Sequence, residues 1–217
     1  MIYSTKRKLA LSGWLKMHNA KEYDTPLKLQ KFLLFYELFS KIENEEADFS
    51  HLRGYERGPV FSAVWGDYTK DRADFDRKAE EEYEKSSFIN DERAKLSAFI
   101  VSVLPDEELS ALTHQLNLWK CKEDRINSKE YNVTLDEEDF SEDDKILIRS
   151  LSDMFPPDLI DRSVVYCVGE KYFVFSKKDA KKLTEQDFDV LSELSSYPDL
   201  KNPVYVEKDN SGRLLVD

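Results

Sequence analysis

The residues in which chemistry is ordinarily concentrated are few in this chain: His18, His51 and His114, with Cys121 and Cys167. None belongs to an HExxH or to a Cys/His pair at ligand spacing, so a metal centre would have to be assembled by the fold alone. Cys121 as a nucleophile would need a base and an orienting group from elsewhere in the chain. The six glycines are scattered, with no Walker A, GxGxxG or GxSxG pattern. Carboxylates number 44, too many for spacing to single out a catalytic pair. His114 lies in LSALTHQLNLW beside an apolar face, where a histidine more often ties helices together by a hydrogen bond. These observations predict a protein that is not an enzyme and that uses no cofactor and no metal. A small hydrolase or transferase using His114 and nearby carboxylates is the alternative they leave.

Charge narrows the classes further. Lys and Arg number 32 against 44 Asp and Glu, a net charge of −12. Direct nucleic-acid binding is not expected, because it needs cations to displace phosphate counterions. An acidic balance favours a basic partner surface. With 13 Phe, 11 Tyr and 3 Trp the chain can build a real core. No run approaches the ~18 apolar residues that a membrane span needs, and the opening LALSGWLKMH is too short and interrupted for a secretory segment. The two cysteines are far apart with no CxxC, which predicts a cytoplasmic protein with reduced thiols.

The elements that would position any site centre on Thr25 to Val60. Thr25 is expected to cap a helix over 26–43 with its hydroxyl, and Pro26 suits the first helical position. Leu29, Phe32, Leu33, Tyr36 and Phe39 recur at spacings of three and four, giving one apolar face, with Lys28, Lys31 and Lys41 off that stripe. Before it, Ser4 or Thr5 starts a helix to His18, in which Gly13 marks close packing. After it, Phe49 to Tyr55 crosses over in a short extended piece, and Gly58-Pro59 starts a third helix with Val60, Phe61, Val64, Trp65 and Tyr68 inward. Glu56 and Arg57, just before that Gly-Pro, are either an exposed recognition corner or a salt-bridge latch that fixes the turn; the latch is the expected one.

Further on, residues 70–88 read as a solvated, charge-rich loop. Asn90 caps a fourth helix and Pro105 opens a fifth, whose first turn holds Asp106, Glu107 and Glu108, where the helix dipole favours negative charge. Leu109, Leu112, Leu116 and Trp119 bury its other side. The run DEEDFSEDD at 136–144 is expected to serve a sixth helix, Ser141 capping it and Asp144 completing a capping box. The alternative is an acidic contact for a basic partner, through Asp136, Glu137, Glu138 and Asp139. After Pro156-Pro157 the pattern changes. SVVYCV and KYFVFS flank Gly169-Glu170 as a hairpin, Thr184 with Asp187 starts a helix, and PVYVEK with RLLV forms a second hairpin. The prediction is a mainly α (α+β) chain: a helical domain over 1–157 and a ββαββ extension over 158–217.

Three stretches, PLKLQKFLLFYE (26–37), YERGPVFSAVWGDY (55–68) and LSALTHQLNLWK (109–120), together resemble the Panacea domain family, which includes SocA-like antitoxins and GepA-type phage-associated proteins. Order and approximate spacing match over residues 5–155. Arg57 stands where a less charged residue is usual, and the tail after Ser163 lies outside the match. The resemblance implies Lys28, Gln30, Lys31, Tyr36, Arg57, Gly58, Pro59, Thr113, His114 and Trp119 as motif residues, most of them scaffold. It implies a compact helical domain acting as the antitoxin of a toxin–antitoxin pair, neutralising a protein toxin by direct binding. Given the acidic balance, that toxin is expected to be basic. The SocA branch implies an alternative, an adaptor that delivers its client to a ClpXP-type protease.

Overall fold

A computed structural model describes residues 1–209 and 211–216 of the chain. It is mainly helical, with small sheets of two and four strands. The chain divides into two units: Met1–Val101 with Asp106–Met154, and Ser102–Pro105 with Phe155–Asp217.

The first unit is built around α3, Pro26–Ile42. Every residue from Lys28 to Ser40 is buried, so this helix is not the one-faced amphipathic helix that the apolar spacing predicts. It is ringed by α1 (Lys6–His18), α2 (Ala20–Tyr23), α4 (Ser62–Lys70), α7 (Asp106–His114) and α10 (Glu142–Met154). A helix enclosed on all sides must bury its polar residues too, and each then needs a partner. Lys28 pairs with Glu22 at 2.8 Å, and Glu37 receives Arg7 and Lys8. Thr25 does not cap α3 with its side chain, which turns back to the Lys21 carbonyl at 3.4 Å. Thr5, not Ser4, caps α1, accepting from the Lys8 amide at 3.2 Å.

Three further expectations are corrected. Gly58-Pro59 does not start a helix. Gly58–Phe61 is strand β2, paired antiparallel with β1 (Leu52–Tyr55), and α4 begins only at Ser62. Gly58 has φ +100, a conformation outside any helix. The stretch 70–88 is not a loop. It holds α5, Arg72–Lys85, with Phe75 and Ala79 buried and α1 packed along it. Its helical period was hidden because only two small apolar contacts break a charged surface. Gly13 makes that packing possible, since a Cβ there would stand 2.2 Å from the Ala79 carbonyl oxygen. The fifth helix breaks after His114. The Asp144 carboxylate takes the Asn117 and Leu118 amides at 2.6 and 3.1 Å, which starts the short α8, Asn117–Lys120. Asn90 does cap α6 (Asp91–Val103), and Ser141 with Asp144 forms the reciprocal box that opens α10. The stretch between α8 and α10 holds α9, Glu123–Asn127, and a 3₁₀ turn at Glu137–Asp139.

In the second unit, α11 (Pro157–Arg162) leads into β3 (Ser163–Val168) and β4 (Lys171–Ser176). After α12 (Lys177–Ala180) and α13 (Glu185–Ser195) come β5 (Val204–Lys208) and β6 (Leu214–Val216). The two hairpins form one sheet in the order β3-β4-β5-β6, because β4 and β5 pair in parallel through the crossover that carries α13. Phe173, Phe175, Leu191, Val204 and Val206 form its core. Thr184 and Asp187 make the capping box of α13, and Lys208 closes on Asp187.

The glycines of the first unit separate packing from propensity. Gly13→Ala is expected to cost about 1–3 kcal/mol by overpacking the α1–α5 crossing. Gly66→Ala, in α4 with nothing near its Cβ position, is expected to stabilise by about 0.5–1 kcal/mol. Urea melts of both variants check the pair, and equal effects would contradict the crossing as described.

Candidate functional site

The turn of the β1–β2 hairpin is where the separated motif stretches meet. Its two central residues are Glu56 and Arg57, flanked by the Tyr55–Gly58 pair. Two carbonyls of this turn are held by side chains from two helices. The Trp119 indole N–H, from α8, donates to the Tyr55 carbonyl at 3.0 Å. His114, from α7, lies beside the Glu56 backbone. The Lys31 ammonium, from α3, donates to the Arg57 carbonyl at 2.8 Å and to the Thr113 hydroxyl, also at 2.8 Å. The His114 and Trp119 rings stack with centroids 3.9 Å apart. Gly58 is required at this point: a Cβ would stand 2.3 Å from Lys31 Nζ and 2.6 Å from Thr113 Oγ1.

Lys31 is 1% exposed. Burial pushes its pKa down to about 7, with nearby Arg57 adding to the effect and Asp106 opposing it. Burial also lowers His114, and Lys31 lowers it further. Nε2 of His114 is buried with no hydrogen-bond partner among the described residues.

The clamp leaves the side chains of the turn outside. Tyr55, Glu56 and Arg57 are exposed, and the Arg57 side chain, 62% exposed, reaches Asp106 only at 3.9 Å. The turn is thus fixed by its backbone carbonyls, not by the charged latch that the residue types suggested. These side chains form one wall of a cleft of about 640 Å³. Pro26 and Leu27 of α3, Trp65 of α4, Ile126 of α9 and Tyr131 of the following loop line the rest. Trp65, expected inward, is exposed here, and Tyr131 is 94% exposed.

The other motif residues take separate places. Gln30 grips β2 from inside, accepting from the Phe61 amide at 2.8 Å. Pro59 is buried and lines the cleft. Tyr36 lies deep in the core, accepting from the Asn90 amide at 3.0 Å, with the guanidiniums of Arg7 and Arg93 near its ring. Lys28 is taken by Glu22. The acidic run is mostly occupied within the fold. Asp136 and Asp139 approach Lys122 at 3.6 and 3.0 Å, and Glu137 pairs with Lys41, while Glu138 is exposed. The charge pattern did not reveal these cations because they come from distant segments. Trp65 and Tyr131 were missed as cleft residues because an exposed aromatic carries no periodicity signal, and Ile126 because it stands in a stretch without apolar period. Among the described residues, no group of His, Cys, Asp and Glu has the arrangement to hold a metal ion, and both cysteines are free and exposed. No helix among them is long and apolar enough to cross a membrane.

The buried lysine has a pH signature. Lysine is ordinarily charged up to about 10.5, but in this fold Lys31 is charged only below about 7. Between those values the unfolded chain holds the extra proton, so raising the pH favours the fold. Lys31→Met removes this slope. Wild type is therefore expected to gain on Lys31→Met by up to about 1.4 kcal/mol per pH unit above pH 7. Parallel denaturant melts from about pH 6 to 10 measure the gain, and a flat difference contradicts the buried, depressed lysine.

Compared with protein-family models, curated proteins and solved structures, the chain has no match.

Proposed function

We propose that this chain is a non-enzymatic antitoxin that neutralises a cognate protein toxin by direct binding, with the hairpin turn and its cleft as the contact surface. The observation that carries the proposal is the clamp on the turn carbonyls. It holds Tyr55, Glu56 and Arg57 outward on a rigid backbone beside Trp65 and Tyr131. Aromatic and arginine side chains dominate the energetics of protein interfaces, and a pre-ordered loop avoids the entropy cost of ordering on binding. The resemblance to Panacea antitoxins supports the same reading, since Lys31, Gly58, Thr113, His114 and Trp119, drawn from three separated stretches, are the residues that build the clamp. The stacking of His114 on the Trp119 indole supports a packing role for it over a catalytic one. The net charge of −12 suits a basic toxin. With Asp136, Glu137 and Asp139 paired internally, the contact falls on the hairpin turn more than on the acidic run. The second unit supplies specificity or a further contact.

Co-expression with the product of the adjacent gene tests this, scoring growth rescue and co-purification in cells with and without the ClpXP protease. A stable complex and protease-independent rescue are expected. Tyr55→Ala with Arg57→Ala is expected to weaken the complex tenfold or more, about 1.4 kcal/mol, without lowering the melting temperature. Rescue only with the protease, and loss of the partner, would make the chain an adaptor. No toxicity and no complex would contradict the antitoxin reading.

A further inference from the structure

Lys8, Lys28, Lys31 and Arg93 are buried in the first unit. Lys8 is paired with Glu37, Lys28 with Glu22 and Arg93 with Glu43. Lys31 differs: among the described residues its bonded partners are a carbonyl and a hydroxyl, with no carboxylate at ion-pair distance. An ammonium carries three N–H donors, and these partners take two. A buried charge without a counter-charge is costly, which is why the other three are paired. Lys31 is also the one of the four that lines the cleft.

The cleft around it has the form of a small-ligand site. About 640 Å³ falls within the range of such pockets, which combine apolar walls with few polar groups. Leu27, Val60 and Ile126 give apolar wall, with Tyr55 and Trp65 beside them. The first turn of the 17-residue α3 lines it as well, with no acidic residue in that turn and no side-chain cap. We propose that the cleft is a binding site for a small organic acid, its apolar or aromatic body against Trp65, Tyr55 and Ile126 and its carboxylate on the Lys31 ammonium. This goes beyond the antitoxin reading and stands or falls independently of it.

Binding then requires the protonated lysine. The charged and titratable groups around Lys31 are Glu56 and Arg57 on the turn, Asp106 and His114 on α7, and Lys129 and Glu130 on the loop after α9. Glu130 is held by Nε and Nη2 of Arg125, at 2.8 and 2.5 Å, and so does not neutralise the lysine. Asp106 is the acid that opposes the depression of Lys31, and it acts at a distance, without a hydrogen bond.

Calorimetry on the full chain with indole-3-acetate and its neutral isostere indole-3-acetamide tests the assignment. The acid is expected to bind at least tenfold more tightly than the amide. Its affinity is expected to fall by up to about tenfold per pH unit above about pH 7. Lys31→Met is expected to lose the acid, and Arg57→Gln, at a mostly exposed side chain, to weaken it several-fold with an unchanged melting temperature. The acid–amide comparison on wild type stands even if Lys31→Met fails to fold. Equal binding of acid and amide, full binding by a folded Lys31→Met, or no binding of either at millimolar concentration would overturn the proposal. So would binding by an acetylated dipeptide acid with none by the free acid, which would assign the site to a chain terminus.

Discussion

The first unit depends on how it disposes of the carbonyls of Tyr55 and Arg57. A hairpin turn pressed against helices cannot leave its carbonyl groups to water, and each then needs a donor. Here the donors are an indole and an ammonium, each from a different helix. That requirement fixes several things together. Gly58 must lack a side chain so that Lys31 and Thr113 can approach. The break between α7 and α8 must place Trp119 beside His114, and the Asp144 carboxylate secures it by capping α8. The result is a turn whose backbone is inside and whose side chains are outside.

Electrostatics in the interior follow one rule with one departure. The aromatic-rich core accepts cations where a carboxylate meets them, as Glu37 meets Arg7 and Lys8, and Glu22 meets Lys28. Aromatic faces add to this, with Arg7 and Arg93 both near the Tyr36 ring. Lys31 is held by neutral oxygens instead and keeps its proton weakly. The chain carries an acidic excess overall, while the cleft is balanced, with Lys31, Arg57 and Lys129 against Glu56, Asp106 and Glu130.

Much of this was legible in sequence, and the rest had physical reasons to be hidden. Helices with caps and strong apolar spacing, such as 6–18 and 142–154, stand close to where their signals place them. The change to strands after residue 160 is also as the alternating Val, Tyr and Phe residues suggest. The helix over 72–85 was obscured because it buries only Phe75 and Ala79, and the strand at 58–61 because Gly-Pro is common at helix starts too. The motif residues could be named, but not their joint task. Nothing in local spacing tells that Lys31, His114 and Trp119 converge on one turn, or that the long apolar helix carrying Lys31 is enclosed on all sides. The cleft aromatics were invisible for the same reason, since exposure is decided by neighbours distant in the chain.

The most direct test of the clamp is amide hydrogen exchange over 52–61 in wild type and in Trp119→Phe, which removes the indole N–H while keeping a ring to stack on His114. Losing one such bond costs about 1 kcal/mol or somewhat more. The hairpin amides are expected to exchange slowly in wild type and several-fold to tenfold faster in Trp119→Phe, with the α1–α5 pair unchanged. A turn that already exchanges freely in wild type, or one indifferent to Trp119→Phe, would contradict the clamp.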